Sequence, residues 1–129
     1  MIPRGRLGLL VAVAMGGAAG AVARTALERG WAPHDPAAWP WATFTANVAG
    51  ALLLGVVAAL SRKRMRLLGP LVGTGFCGAL TTFSTFNVEA IRLARAHADG
   101  LAATYVATSV VGGLLAVAAG FRMAARRAA

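Results

Sequence analysis

Acidic residues and cysteines are scarce in this sequence. It contains four Asp and Glu residues among 129, against thirteen Lys and Arg. Only 13% of its residues are charged and 58% are hydrophobic, whereas soluble globular chains have about 25% charged and about 45–50% apolar residues. This composition excludes a disordered chain and argues against an ordinary soluble domain. The single cysteine, Cys77, excludes an intrachain disulfide scaffold and is interpreted as a small buried apolar residue.

The net charge of +9 does not predict nucleic-acid binding, because the basic residues lie between long apolar runs and not across one polar surface. The sequence also lacks a metal-ligand spacing, a nucleophile paired with a base, and a phosphate-binding loop. We therefore predict that the chain is not an enzyme. His34 and His97 are interpreted as solvated loop residues.

Four stretches contain no charged residue, and each has a length suited to a membrane crossing, which takes about 20 residues. They span residues 7–23, 36–61, 67–88 and 100–121. The prediction is an all-α membrane protein, a single polytopic domain over 1–129. Its four transmembrane helices would cover about 6–28, 42–61, 68–95 and 101–122. Trp31, Trp39 and Trp41 flank the first connection, as is typical of the interfacial aromatic belt.

Four crossings would place the charged residues very unevenly. One side would carry four basic and four acidic residues, and the other would carry nine basic residues with no acidic one. Because short Lys- and Arg-rich loops stay in the cytoplasm, we predict a cell-membrane protein with both termini cytoplasmic. The nine basic residues are Arg4, Arg6, Arg62, Lys63, Arg64, Arg66, Arg122, Arg126 and Arg127.

The third span is unusually polar and rich in glycine. Pro70 and three glycines precede the segment Thr81-Thr82-Phe83-Ser84-Thr85-Phe86-Asn87. Hydroxyl side chains compete for backbone hydrogen bonds and glycine lowers helix propensity, so a break is predicted near residues 78–81. A break at membrane depth requires cover by protein or by a watery cavity. Its backbone carbonyls can coordinate a cation.

Several other polar residues lie in or next to the apolar spans. Asn47 is interpreted either as a ligand-binding group or as an interhelical hydrogen-bonding group, and Arg24 either as functional or as reaching out from the helix end. Phe83 and Phe86 share a helix face, and Tyr105 and Ser109 share another. Hydrogen-bond donors and ring edges without a full positive charge suit a small anion that must both enter and leave. The residues alone do not distinguish fluoride from chloride.

Three motifs resemble the CrcB/Fluc family of fluoride-specific ion channels. They are Gly16-Gly17-Ala18-Ala19-Gly20-Ala21-Val22-Ala23-Arg24, Asn47-Val48-Ala49-Gly50, and the twelve residues from Gly75 to Phe86. The likeness covers the chain in length, number of spans and motif order. It implies an antiparallel dimer of four-helix subunits that passively exports fluoride from the cytoplasm and so reduces fluoride toxicity.

The resemblance also implies roles for individual residues. The fluoride pathway would contain Asn47, Phe83, Phe86, Ser84, Thr85, Tyr105, Ser109 and Glu89. Backbone carbonyls of Gly78 and Thr81 would hold a sodium ion at the dimer centre, which is structural and not transported. Arg24 matches a family arginine. The polar track of the family continues a turn beyond Ser109, where this chain has Gly112-Gly113.

The charge bias conflicts with one property of the family, because members encoded by a single gene insert in both orientations and need nearly balanced charges. We therefore expect this chain to insert one way and to pair with an oppositely oriented paralogue, and an antiparallel dimer of this chain with itself is the other arrangement that the resemblance allows. Two alternatives belong to other classes. A small four-helix proton-coupled multidrug exporter needs a membrane-embedded carboxylate in the first helix, whose first acid here is Glu28 at its end. A non-transporting membrane subunit would leave the hydroxyls of the third span without a purpose.

Overall fold

The chain folds into helices and irregular connections. The computed structural model describes residues 4–32, 35–61 and 67–127, and every regular element within these ranges is helical. The long helices are α1 (Arg4–Gly30), α2 (Trp41–Ser61) and α5 (Asp99–Arg127). Between α2 and α5 lie two shorter helices. Of these, α3 comprises a π-helical segment, Gly69–Cys77, that continues as Gly78–Leu80, and α4 covers Phe83–Arg95. The predicted all-α fold is confirmed.

Three helices of the described ranges are long and apolar enough to cross a membrane: Arg6–Gly30, Trp41–Leu60 and Asp99–Arg127. The third predicted span is divided between α3 and α4. Its crossing, the count of four transmembrane helices and the antiparallel dimer stay predictions. Many large apolar side chains on the long helices are not covered by the chain itself, including Met15, Val22 and Leu114. Such faces fit contact with lipid or with another membrane helix.

The charge asymmetry behind the predicted orientation depends partly on residues that the structure does not describe. Arg62, Lys63, Arg64 and Arg66 lie outside the described ranges, as does His34. The orientation with both termini in the cytoplasm therefore stays a prediction.

Glycines bring α1 and α3 into backbone contact. A Cβ atom added to Gly16 would meet the carbonyl oxygen of Leu71, and one added to Gly20 would meet that of Phe76. Gly75 faces α1 in return, since a Cβ atom added there would lie 2.6 Å from the carbonyl oxygen of Val13. The Gly16-x-x-x-Gly20 seam thus packs two helices closely, as small residues do between membrane helices.

A second glycine seam joins α2 and α5. A Cβ atom on Gly55 would meet the carbonyl oxygen of Val117, and one on Gly120 would meet that of Leu52. One glycine lies on each helix, so the two backbones come into close contact at two points along the pair. Together the two seams hold α3 and α5 against their neighbours and fix the frame around the third span.

The third span breaks at Thr81 and Thr82. Both residues have extended backbone, with φ −78° and ψ 151° at Thr81 and φ −146° and ψ 127° at Thr82. Gly78 itself is helical, with φ −62° and ψ −31°. The break therefore lies at the C-terminal edge of the predicted range. The π-helical segment ends at Cys77, and the threonine pair ends the short α-helical turn, Gly78–Leu80, that follows it. Gly50 of α2 lies against this point, since its Cβ would meet Thr81 Cγ2.

Candidate functional site

Asn47 holds the break through two hydrogen bonds to the backbone of Thr82. Its Nδ2 donates to the Thr82 carbonyl oxygen at 3.0 Å, and the Thr82 backbone N–H donates to Asn47 Oδ1 at 2.8 Å. The side-chain oxygen of Asn47 thus replaces the helical acceptor that the Thr82 N–H loses at the break, and its amide nitrogen adds a donor to the Thr82 carbonyl oxygen. Of the two interpretations of Asn47, interhelical hydrogen bonding is the one that these contacts support. One N–H of its amide group takes part in neither bond.

The hydroxyl of Thr82 begins α4. Thr82 Oγ1 accepts from the backbone N–H of Thr85 at 3.2 Å, which makes Thr82 the N-cap of the helix. The same oxygen lies 3.2 Å from Ser84 Oγ and 3.2 Å from Thr85 Oγ1. A side-chain oxygen at the N-cap satisfies a backbone donor that has no partner within the helix. Three hydroxyls consequently gather at the break, where the sequence analysis predicted a polar track.

The two phenylalanine rings after the break lie against each other but differ in burial. Their centroids are 5.9 Å apart with planes 28° from parallel. Phe86 is 7% exposed, whereas Phe83 is 77% exposed and is the outer ring of the pair. Phe86 also contacts Tyr105, with ring centroids 5.3 Å apart. The predicted ring pair is thus brought together beside the tyrosine of α5.

Glu89 accepts two side-chain hydrogen bonds from neighbouring helices. Thr43 Oγ1 of α2 donates to Oε1 at 2.9 Å, and the Tyr105 hydroxyl of α5 donates to Oε2 at 2.8 Å. Thr43 and Tyr105 are both buried. The carboxyl group of Glu89 therefore joins three helices and has both oxygens fixed in place.

The other hydroxyls of α5 divide into two kinds. Thr104 and Thr108 donate to carbonyls one turn earlier in their own helix, Thr104 to Gly100 at 2.8 Å and Thr108 to Thr104 at 2.7 Å. Ser109 differs, because its Oγ is buried and has no hydrogen-bond partner within the described residues. A buried hydroxyl without a partner is costly in a folded protein. The Ser109 hydroxyl is therefore free to form a hydrogen bond with a ligand.

Arg24 lies near the C-terminal end of α1, and its one ion-pair partner among the described residues is on the same helix. Its Nε is 3.9 Å from Glu28 Oε1, one turn further along the helix. Its side chain is about one-third exposed. Its Nε is nevertheless buried and makes no hydrogen bond within the described ranges, so both interpretations of Arg24 stay predictions.

The hydrogen-bonded groups of α2 and α4 occur at two levels. Asn47 and Thr43 are one turn apart on α2, and their partners Thr82 and Glu89 are seven residues apart on α4. That separation corresponds to about 10 Å along a helix axis. The phenylalanine pair lies between the two levels in the chain, so the predicted residues of the third span, Asn47 and Tyr105 form one connected region.

Two residues of this region were missed in the sequence. Thr82 belongs to the polar segment but was not selected, although it takes part in both hydrogen bonds of Asn47 and caps α4. Thr43 was missed altogether. A signal for it exists, because residues four apart share a helix face and Thr43 precedes Asn47 by four.

Long apolar helices, glycine seams and a hydroxyl-rich break together define a multi-pass helical membrane protein. The profile of a family described as CrcB-like protein, Camphor Resistance (CrcB), matches residues 11–121. The chain belongs to this family, as the sequence motifs predicted.

Several relatives of the chain carry names that specify the transported ion. The chain is 50% identical over 111 residues to "Fluoride-specific ion channel FluC 1" of Mycolicibacterium paratuberculosis, covering 84% of this chain and 83% of the relative. It is 51% identical over 111 residues to the protein of the same name from Mycobacterium tuberculosis, with the same coverage. "Fluoride-specific ion channel FluC 2" of Rhodococcus jostii is 45% identical over 113 residues, covering 86% and 94%. The prediction that this chain is not an enzyme is confirmed by this membership.

Proposed function

We propose that this protein is a subunit of a fluoride-selective ion channel that passively exports fluoride from the cytoplasm and so reduces fluoride toxicity. The observation that carries the proposal is the Phe83–Phe86 ring pair, which follows a hydroxyl-rich helix break in a chain half identical to named fluoride channels. Fluoride, the lipid bilayer and a second subunit are the partners that this function requires.

The pathway that we propose uses donors of moderate strength. Aromatic ring edges carry partial positive charge and attract an anion, and the outer ring of the pair, Phe83, is mostly exposed. The second amide hydrogen of Asn47 and the hydroxyls of Ser84, Thr85 and Ser109 add hydrogen bonds. Tyr105 would extend this polar track, and Glu89 would lie near one mouth. Conduction requires binding that is strong enough to enter and weak enough to leave.

Export needs no coupled energy source in this proposal. A membrane potential that is negative inside drives an anion outward, with about 2.3 kcal/mol per elementary charge for each 100 mV. A passive pathway selective for fluoride would therefore lower the cytoplasmic concentration whenever the potential is maintained.

The structural sodium ion of the proposal would bind the carbonyl oxygens of Gly78 and Thr81. In a continuous helix these would accept from the backbone N–H groups of Thr82 and Thr85. Here Thr82 N–H donates to Asn47 and Thr85 N–H donates to the Thr82 hydroxyl. Both carbonyls have thus lost their usual donors to other acceptors, which fits oxygen ligands for a hard cation. The ion would hold the broken helices of two subunits together.

The working unit in this proposal is an antiparallel dimer with the termini of this chain in the cytoplasm. An oppositely oriented paralogue is the partner that this orientation favours, because a second copy of the chain could pair antiparallel only if it inserted with its termini on the other side. The excess of basic residues on the side of the termini favours one fixed orientation. A reporter fused to the C-terminus tests this directly, because a cytoplasmic signal alone is expected, whereas equal signals on both sides of the membrane would overturn the fixed orientation.

Growth in fluoride tests the function in cells. A bacterial host that lacks its own fluoride export should regain growth in fluoride when it produces this chain, alone or with an oppositely oriented paralogue. Phe83→Ile serves as the matched variant, since it is made at the exposed ring and should give equal protein in the membrane without the rescue. Equal rescue by an empty membrane-protein control, or none by any combination, would contradict the proposal.

A further inference from the structure

Arg92 of α4 forms hydrogen bonds to the connection between α1 and α2, and we call this contact the tie. Trp39 of the same connection contacts Tyr105 of the candidate site. We propose that Arg92 is a positioning residue that fixes Trp39 against Tyr105 and so orients the Tyr105–Glu89 hydrogen bond. The proposal deepens the proposed channel function and depends on it for its conduction readout.

The guanidinium group of Arg92 binds two backbone carbonyls of the connection. Nη1 donates to the Asp35 carbonyl oxygen at 3.2 Å, and Nη2 donates to the Ala38 carbonyl oxygen at 3.1 Å. The segment between them is a turn in its own right, since the Ala37 N–H donates to Asp35 Oδ1 and the Ala38 N–H to the Asp35 carbonyl. Two acceptors held by two different nitrogens require the planar fork of arginine, which a lysine ammonium does not reproduce.

The tie continues into the aromatic cluster through the next residue of the chain. Trp39 directly follows Ala38 and meets Tyr105 edge to face, with ring centroids 5.4 Å apart and planes 86° apart. It meets Phe44 in a similar way, at 5.6 Å and 73°. Tyr105 is completely buried, and its hydroxyl donates to Glu89. The orientation of that hydroxyl thus depends on where the Trp39 ring lies.

Arg92 and Glu89 close this circuit because both belong to α4, three residues apart. The contacts run from Arg92 to the connection, from Trp39 to Tyr105, and from Tyr105 back to α4. Arg92 makes no hydrogen bond to a described residue of the proposed pathway, so loss of its fork would first release the connection. The effect on conduction would then pass through Tyr105.

The same helix offers a matched control. Arg95 lies three residues beyond Arg92, carries the same charge and is exposed. Within the described ranges its side chain makes no hydrogen bond or ion pair. Comparing Arg92→Lys with Arg95→Lys therefore separates loss of the fork from a change of residue type at this end of α4, and Arg92→Gln adds loss of the charge.

The decisive experiment is a double-mutant cycle measured by fluoride efflux from liposomes. We expect Arg92→Lys to slow efflux about threefold and Tyr105→Phe about fivefold, the size of one hydrogen bond of about 1 kcal/mol. The double variant should be no slower than Tyr105→Phe, because contacting residues that act through one another are not additive. Arg95→Lys should be unchanged. Fully additive losses, or wild-type efflux for Arg92→Lys together with slow efflux for Arg92→Gln, would overturn the proposal.

Tryptophan fluorescence tests the tie without conduction. All three tryptophans of the chain, Trp31, Trp39 and Trp41, lie in or beside this connection, so acrylamide quenching reports on it alone. Quenching should increase in Arg92→Lys and Arg92→Gln and stay at the wild-type value in Arg95→Lys. Equal quenching in all variants would overturn the tie. If the wild-type chain releases no fluoride either alone or with an oppositely oriented paralogue, the channel function fails, while this measurement still decides whether Arg92 holds the connection.

Discussion

The two levels of hydrogen bonding between α2 and α4 differ in the kind of group that the α2 side chain binds. At the break, Asn47 binds the backbone of Thr82. About two turns further along α4, Thr43 donates to a side chain, the carboxyl group of Glu89, as does Tyr105. The first level therefore maintains the shape of the broken helix, and the second maintains the orientation of an ionisable group. Substitutions at the first level should act mainly on assembly, and those at the second mainly on conduction.

The largest effect is expected for Asn47→Ala. This change leaves the Thr82 N–H without a partner and removes the side-chain donor of the Thr82 carbonyl oxygen, at a cost of about 1–3 kcal/mol in the free energy of unfolding. The thermal stability of the purified channel in detergent measures it. Asn47→Asp keeps the acceptor for the Thr82 N–H and should lose less. If Asn47→Ala kept wild-type stability while losing fluoride efflux, Asn47 would act on the ion and not on the fold.

Substitutions in the Phe83–Phe86 ring pair should distinguish an effect on fluoride efflux from an effect on stability. Phe83→Ile should slow fluoride efflux about tenfold, the factor that corresponds to about 1.4 kcal/mol, with unchanged stability because Phe83 is mostly exposed. Phe86→Ile should reduce both efflux and stability, since Phe86 packs against Tyr105. Unchanged efflux in both variants would remove the rings from the mechanism.

A smaller loss is expected at the second level. Tyr105→Phe keeps the buried ring and removes the hydroxyl that donates to Glu89, and the fivefold slowing expected above should occur with normal assembly. Thr108→Val is the control on the same helix, because the Thr108 hydroxyl serves only its own helix among the described contacts. If Tyr105→Phe failed to assemble while Thr108→Val assembled normally, the second level would act on assembly, as the first level does.

The smallest effect is expected from lengthening the polar track. A Cβ on Gly112 would lie 3.7 Å from Val48 Cγ2, an ordinary contact, so Gly112→Ser fits one turn beyond Ser109. Efflux should rise about twofold, less than one hydrogen bond is worth. Gly113→Ser, whose Cβ meets nothing within 4 Å, should have no effect. A rise in Gly113→Ser alone would place the track on another face.

The residues of this site are easier to predict from the sequence than the contacts between them. Hydroxyls and glycines in the third span were sufficient to predict a break, because their local propensities are readable without partners. The break nevertheless lies at Thr81 and Thr82, since the cap on α4 uses the Thr82 hydroxyl. The Gly16-x-x-x-Gly20 seam was readable as well, because close packing needs small residues at that spacing.

The contacts between helices were not predictable in the same way. Asn47 was identified as either a ligand or a hydrogen-bonding group, and only the relative position of α2 and Thr82 distinguishes these. Thr43 and Arg92 were missed because each binds a group far away in the chain, 46 and 54 or more residues distant. Helix register determines such pairs, and a single sequence contains little information about it.

Fluoride efflux from liposomes, with chloride as the control ion, tests the central claim most directly. The purified chain is reconstituted alone and together with an oppositely oriented paralogue, and release of each anion is recorded. The account predicts release of fluoride with retention of chloride in at least one of the two preparations. Equal release of chloride, or no release of fluoride from either preparation, would contradict it.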